Sequence, residues 1–167
     1  SPDGNKLAYY VDAGTSGHSA IEVFETTTAQ RKRLGLVYAY GGPVDRLDWS
    51  PTGEQLVYSL SGVQQTFTMN ASTGAINDLG IDLLRASWFP DATALVGVLQ
   101  GTNCVYRIGN GGGQLQQLAC NAQWPTVSPD GASLLTVDAA TPGKRRVIGD
   151  QGLPGQVFQR DVFLFGQ

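Results

Sequence analysis

SPDGNKLAYY (residues 1–10) sets a tight turn in front of an apolar run, and the phrase returns as WSPTGEQLVYS (49–59), WFPDATALVGV (88–98) and VSPDGASLLTV (127–137). The prolines at 2, 51, 90 and 129 stand 49, 39 and 39 residues apart, and five positions after each comes a leucine: Leu7, Leu56, Leu95 and Leu134. A fixed turn with a fixed apolar anchor at a period near 40 marks a repeat architecture, in which each unit buries its apolar face against the next. The turn has a mechanism. Pro2, Pro51, Pro90 and Pro129 preset φ for the second turn position. Asp3, Asp91 and Asp130 have short carboxylates that accept a backbone N–H, and Gly4, Gly53 and Gly131 tolerate positive φ. These acids read as turn builders, not catalysts.

Working outward from the turn, each unit reads as four short strands. In the third, LRASW (84–88) precedes the turn and ALVGVL (94–99) follows it, then CVYRIG (104–109) comes after QGTN and QLQQLA (114–119) after NGGG. Runs of five or six residues punctuated by Gly, Pro, Asn and Asp are hairpin grammar, and nothing has the length and 3.6 period of a helix. The expectation is an all-β chain of four tandem four-stranded units in a single domain, divided near 1–43, 44–82, 83–121 and 122–167. The first unit lacks its leading strand, because residue 1 already lies in the turn. Its surplus of ten residues falls in DAGTSGHSA (12–20) and GLVYAYGGPV (35–44), long connections of the kind that carry binding surfaces.

With 167 residues, 41% hydrophobic and 15% charged, the chain can bury a sizeable core. Its net charge of −3 argues against a surface built to neutralise nucleic-acid phosphates. No apolar run approaches the roughly 18–20 residues of a membrane-spanning helix, so the chain reads as soluble. It has no signal peptide and starts with Ser inside a repeated motif, which leads us to expect a natural N-terminus upstream.

These four phrases resemble the TolB-type, or WD-repeat-like, β-propeller family, whose blades carry a W-S-P-D-G turn followed by an apolar strand. The resemblance covers essentially the whole chain. VSPDGASLL and SPDGNKLAY fit it well, whereas WSPTGEQLVY departs at the Asp and WFPDATALVG at the Ser and Gly. It implies a ring of blades, usually more than four. Either VFLFG (162–166) returns to supply the missing strand and closes a small ring, or the chain is a segment of a larger propeller. An open arc would leave sheet faces that call for a partner. The family includes periplasmic scaffold proteins and the gating propellers of prolyl oligopeptidases. The resemblance therefore implies a non-catalytic exported module that mediates protein–protein interaction, as an accessory or structural subunit of a larger envelope or membrane-associated assembly, periplasmic or extracellular. The alternatives are the gating propeller of a longer prolyl-oligopeptidase-like hydrolase, and a carbohydrate or small-molecule binder using the central channel.

The two cysteines can be placed by arithmetic. If the hairpin turns at GGG (111–113), paired residues have numbers summing to about 224, and Cys104 faces Cys120. A cross-strand disulfide is then available if the Cα separation suits, and would point to an oxidising compartment; a reduced pair in a β core is the other reading.

Catalytic motifs are missing. The single histidine, His18, could recruit Ser16 or Ser19 with Asp12, but no nucleophile elbow surrounds a serine. One His and two Cys make a poor zinc site. Glu22, Glu25, Glu54 and eleven aspartates include no pair with a motif around it for glycoside hydrolysis. GNGGGQ (109–114) lacks the lysine and the helix of a phosphate loop, and NAS (70–72) reads as a plain loop. We assign no catalytic, cofactor or metal residue.

For interaction surfaces the candidates are Tyr38, Tyr40 and Trp124, and the basic run Arg31, Lys32 and Arg33. That run falls on the last strand of its unit, where charge discourages unwanted strand pairing; a docking patch for an acidic partner or anionic lipid is the other reading. A second basic cluster is KRR (144–146). Trp49, Trp88 and Val127 hold equivalent places before the turn and are expected to pack between units, with Trp124 offset from them.

Overall fold

Each repeat folds as its own antiparallel sheet, with strands side by side in chain order. The computed structural model describes residues 1–12, 18–38, 44–60, 64–141, 143–149 and 159–162. The first sheet holds β1 (Lys6–Asp12), β2 (His18–Glu25) and β3 (Gln30–Tyr38). The second holds β4 (Val44–Trp49), β5 (Gln55–Leu60), β6 (Gln65–Asn70) and β7 (Ile76–Asp78). The third holds β8 (Leu83–Trp88), β9 (Ala94–Leu99), β10 (Cys104–Gly109) and β11 (Gln116–Cys120). The fourth holds β12 (Ala122–Val127), β13 (Ser133–Asp138), β14 (Arg145–Gly149) and β15 (Gln159–Val162). The first sheet has three strands, since the turn at residues 1–4 leads directly into β1. Val162 pairs with Arg145, so the tail as far as Val162 completes the fourth sheet. The rest of VFLFG, residues 163–166, lies outside the described residues.

The four repeated turns share one hydrogen-bond pattern. The fourth residue donates its N–H to the first carbonyl at 2.9–3.0 Å: Gly4 to Ser1, Gly53 to Ser50, Ala92 to Phe89 and Gly131 to Ser128. Asp3, Asp91 and Asp130 accept the N–H two residues on, from Asn5, Thr93 and Ala132, at 3.0–3.1 Å. In the second turn the Thr52 hydroxyl takes this part for Glu54 N–H at 3.4 Å. Ala92 occupies the glycine position of the third turn at φ 58°, the strained exception among four otherwise matched turns. Adjacent turns also touch, since a Cβ at Gly53 would lie 3.7 Å from Pro2 Cδ and one at Gly131 would lie 3.7 Å from Pro90 Cδ.

Hydrogen bonding lowers the pKa of these turn acids. Asp3 is brought down to about 2 by the Ser1 hydroxyl and then by Asn5 N–H. Asp91 is lowered first by Thr93 N–H, and Asp130 first by the Ser128 hydroxyl. A carboxylate held ionised by its own turn is a structural acceptor.

Among the described residues the core consists of three clusters, and each joins successive sheets. Ile21 of the first sheet packs with Leu56, Tyr58, Leu60 and Met69 of the second. Val57 and Leu79 of the second pack with Leu83, Trp88, Leu95 and Ile108 of the third. Val96, Val98 and Val105 of the third pack with Ala122, Leu134 and Ile148 of the fourth. Trp49 lies partly buried against the first of these clusters and Val127 against the last. The repeat leucine thus packs on the preceding sheet, and the next residue in the chain packs on the following one. Polar contacts lock the second joint: Leu83 N–H donates to Thr66 Oγ1 (2.8 Å), and the Ser59 hydroxyl donates to the Leu83 carbonyl (2.8 Å), all buried.

In the first and last blades the equivalent positions are exposed. Leu56, Leu95 and Leu134 are 0%, 0% and 3% exposed, whereas Leu7 at the same repeat position is 57% exposed. On the other side, Val57 and Val96 are fully buried and their equivalent Leu135 is 37% exposed. Full burial of such a side chain stabilises by about 1.5–3 kcal/mol, a gain that both end positions forgo in part.

Candidate functional site

The first strands of neighbouring sheets converge: β4 touches β8, and β8 touches β12. Each of these strands is irregular near its start, with register shifts between Val44 and Arg46, Leu84 and Ser87, and Gln123 and Thr126. A bulge adds a residue to one strand and re-aims its side chain. Arg85 and Trp124, 39 residues apart in sequence, sit in two of these bulges at φ 57° and 55°. The Arg85 guanidinium lies over the Trp124 ring, 3.1 Å from its centroid, and Trp124 remains 51% exposed.

A cleft of about 260 Å³ opens beside this pair. Leu84 and Val98 contribute its apolar part, and Gln100, Thr102, Asn103 and Gln123 its polar part. The Gln123 amide donates to Asn103 Oδ1 (3.1 Å), and Ala122 N–H donates to the Asn103 carbonyl (2.9 Å), so the β9–β10 turn is tied to the start of β12. On β4, Asp48 accepts from the Ser87 hydroxyl (3.2 Å) and from Arg46 (3.5 Å).

The disulfide stands next to this cleft. Cys104 pairs with Cys120 across β10 and β11, their Cα atoms 4.0 Å apart, and the two sulfurs are bonded. That separation is tighter than the usual range and close to the narrow pair of an antiparallel ladder. The number sum of 224 holds for Cys104 with Cys120 and Val105 with Ala119, then slips by one at a bulge between Val105 and Tyr106. Arg146 Nη1 donates to the Cys120 carbonyl (3.3 Å), and its other terminal nitrogen pairs with the buried Asp138 carboxylate. Burial alone would raise the Asp138 pKa. The N–H groups of Ala140 and Thr141, with Arg146 and Lys144, outweigh it and hold the carboxyl below its ordinary value. Arg146 of the second basic cluster is therefore committed to an internal pair.

The run Arg31, Lys32 and Arg33 lies on β3, at the edge of the first sheet as described. Its members have different partners. Arg33 binds Glu22 Oε1 through Nε and Nη2 (3.1 and 3.0 Å), and Lys32 donates to the Ser72 carbonyl. Arg31 and Lys32 line a cleft of about 240 Å³ with Lys6 and Glu25. Tyr38 closes β3 opposite His18. Tyr40 and Ser16 lie outside the described residues. In NAS, Asn70 Oδ1 accepts the N–H groups of Ser72 (3.0 Å) and Thr73 (2.8 Å), which makes it a turn former. Burial, and then Tyr58, raises the Tyr10 pKa, and burial also raises that of Tyr58, in keeping with core phenols. Among the described residues no group of three His, Cys, Asp or Glu side chains could hold a metal ion, and no helix is long and apolar enough to cross a membrane.

Separate sheets in chain order, joined face to face through their first strands, are the plan of a propeller, and comparison with solved structures bears on that directly. TolB from Acinetobacter baumannii superposes with a TM-score of 0.69 at 20% identity, over 95% of this chain and 41% of that one. The fold is a TolB-type, WD-like propeller-repeat fold. The β-propeller domain of Myceliophteria thermophila Cps50 (Swd1) superposes at 0.66 with 14% identity, over 90% of this chain and 50% of that one. An oligogalacturonate lyase in complex with manganese superposes at 0.67 with 14% identity, over 87% and 42%. This chain thus spans half or less of the length of each of these propellers. No protein-family model and no curated protein matches it. The four sheets are blades, the first strands line the propeller's inner side, and the Arg85 and Trp124 bulges belong to the inner strands of the third and fourth blades.

Trp124, a sequence candidate for an interaction surface, lies on this face, and the Cys104–Cys120 disulfide expected from the hairpin arithmetic stands beside it. Sequence reasoning missed Arg85, Gln100, Asn103 and Gln123. The available signal was the 39-residue offset between Arg85 and Trp124, which sets them at one repeat position on adjacent inner strands.

Proposed function

We propose that the chain is a non-catalytic propeller module that mediates protein–protein interaction, exported from the cytoplasm, as an accessory or structural subunit of a larger envelope or membrane-associated assembly. What supports this reading is the propeller-repeat fold shared with TolB and with the Cps50 (Swd1) β-propeller domain. Leu7 is 57% exposed and Leu135 37%, whereas at the internal joints the matching positions meet apolar residues of an adjacent blade face. The cystine supports an oxidising compartment.

Photo-crosslinkers placed at positions 7 and 135 of the full-length protein in its native source test this, with mass spectrometry of the joined peptides. The expected result is a crosslink from position 7 to a separate polypeptide. Crosslinks confined to further blades of the same polypeptide would overturn the interface reading. A catalytic serine hydrolase segment in the full-length chain would overturn the non-catalytic one.

A further inference from the structure

We infer that the cleft between the third and fourth blades is a binding site for a neutral oligosaccharide, with Trp124 as its stacking platform. This goes beyond the interaction module and uses a different surface.

Backbone geometry is the first support. Arg85 and Trp124 both hold positive φ at one repeat position. A non-glycine residue in such a conformation costs about 1–3 kcal/mol, and a bulge needed only for shape would be served by glycine. The side chains retained there make a contact that glycine could not.

Platform geometry is the second. Arg85 covers one face of the indole at 3.1 Å, and Trp124 as a whole remains 51% exposed. The guanidinium fixes the ring by a cation–π contact and keeps the indole outward. An indole braced from behind presents an apolar plane to the C–H face of a sugar ring.

The polar lining is the third. The Thr102 hydroxyl already donates to the Leu99 carbonyl (2.7 Å) and accepts from Cys104 N–H (3.2 Å), which leaves the carboxamides of Gln100, Asn103 and Gln123. Each such group both donates and accepts, as sugar hydroxyls do. Gln123 donates to Asn103, which leaves the Gln123 Oε1 acceptor and the Asn103 Nδ2 donors directed at other partners. Among the described residues no carboxylate lines the cleft, its one charged lining side chain is Arg85, whose guanidinium lies on the indole, and its volume of about 260 Å³ suits one or two sugar rings. The cystine and the bond from Ala122 N–H to the Asn103 carbonyl hold Asn103 beside Gln123, so the amide pair is preorganised.

The test is titration of the full-length protein, followed by tryptophan fluorescence and calorimetry, with maltotriose, cellotriose, chitotriose and mannotriose. Trigalacturonate and an alanine tripeptide serve as acidic and peptide controls. At least one neutral trisaccharide should bind saturably, with a Kd of micromolar to millimolar order. Trp124→Ala should weaken it by about tenfold or more, while Trp124→Phe keeps a platform and most of the affinity. Asn103→Ala should weaken it without changing the melting temperature. The inference fails if no neutral trisaccharide binds saturably, if only the acidic or peptide control binds, or if binding survives Trp124→Ala. If Trp124→Ala does not fold, Asn103→Ala and Gln123→Ala decide, and unchanged affinity in both overturns the site. Crosslinking at position 7 reports on the interaction reading independently.

Discussion

Leu7 and Leu95 hold the same place in their repeats, five residues after the turn proline, and experience different surroundings. Leu95 is fully enclosed between the second and third blades, while Leu7, on the first, is 57% exposed. What separates them is a neighbour, not a local feature. A blade carries two unlike apolar faces, and its sequence specifies both; whether either is buried is decided by what stands beside it.

The strongest way to break this comparison is to truncate both leucines. Leu95→Ala should cost about 2–5 kcal/mol in urea unfolding, as buried leucines do. Leu7→Ala should cost less than about 1 kcal/mol, because half-exposed side chains leave little cavity. Equal losses would mean that Leu7 is covered in solution.

Next in size is the cystine, which ties the third blade and has no counterpart among the described residues of the first. With a sequence separation of 16, its reduction should remove about 3 kcal/mol. Hydrogen exchange with and without reductant should show the loss concentrated in β10, β11 and β12, leaving β1 and β2 protected as before.

Acid sharpens the contrast between a buried and an exposed ion pair. The folded pKa of Asp138 lies below its unfolded value. Its contribution is therefore present above the ordinary carboxylate value of about 3.9 and is lost as pH falls through the lowered one. Asp138→Asn should reduce stability near neutral pH and flatten the acid limb of the pH–stability curve. An unchanged limb would show that the pair with Arg146 is not formed.

Smallest is Arg33→Ala. The Arg33 side chain is 51% exposed in its pair with Glu22, and such pairs contribute about 0.2–1 kcal/mol, reduced further by salt. A larger loss would mean that β3 meets something more than solvent.

The blades were legible because their punctuation is local. Four prolines, three turn acids and three glycines mark where strands reverse, and a turn at GGG sets Cys104 against Cys120 by counting alone. Other features depended on distant groups. Nothing in LRASW marks Arg85 for positive φ, since no glycine is there and the bulge answers to β9 across the ladder. The slip between Val105 and Tyr106 likewise depends on β11. The exposure of Leu7 could not be read from its own phrase, which matches that of Leu56. Arg33 and Arg146 both look like free surface charge in sequence; Glu22 and Asp138, brought close by strand pairing, make each an ion-pair member.

The internal joints bear on symmetry. At each, the repeat leucine of one blade meets the residue that follows the repeat leucine of the blade before it: Leu56 with Ala8, Leu95 with Val57, and Leu134 with Val96. These are unlike halves, and a twofold axis, which sets a patch against its own copy, would not mate them. A blade is therefore a directional unit, and stacking it on its like keeps one sense along the chain.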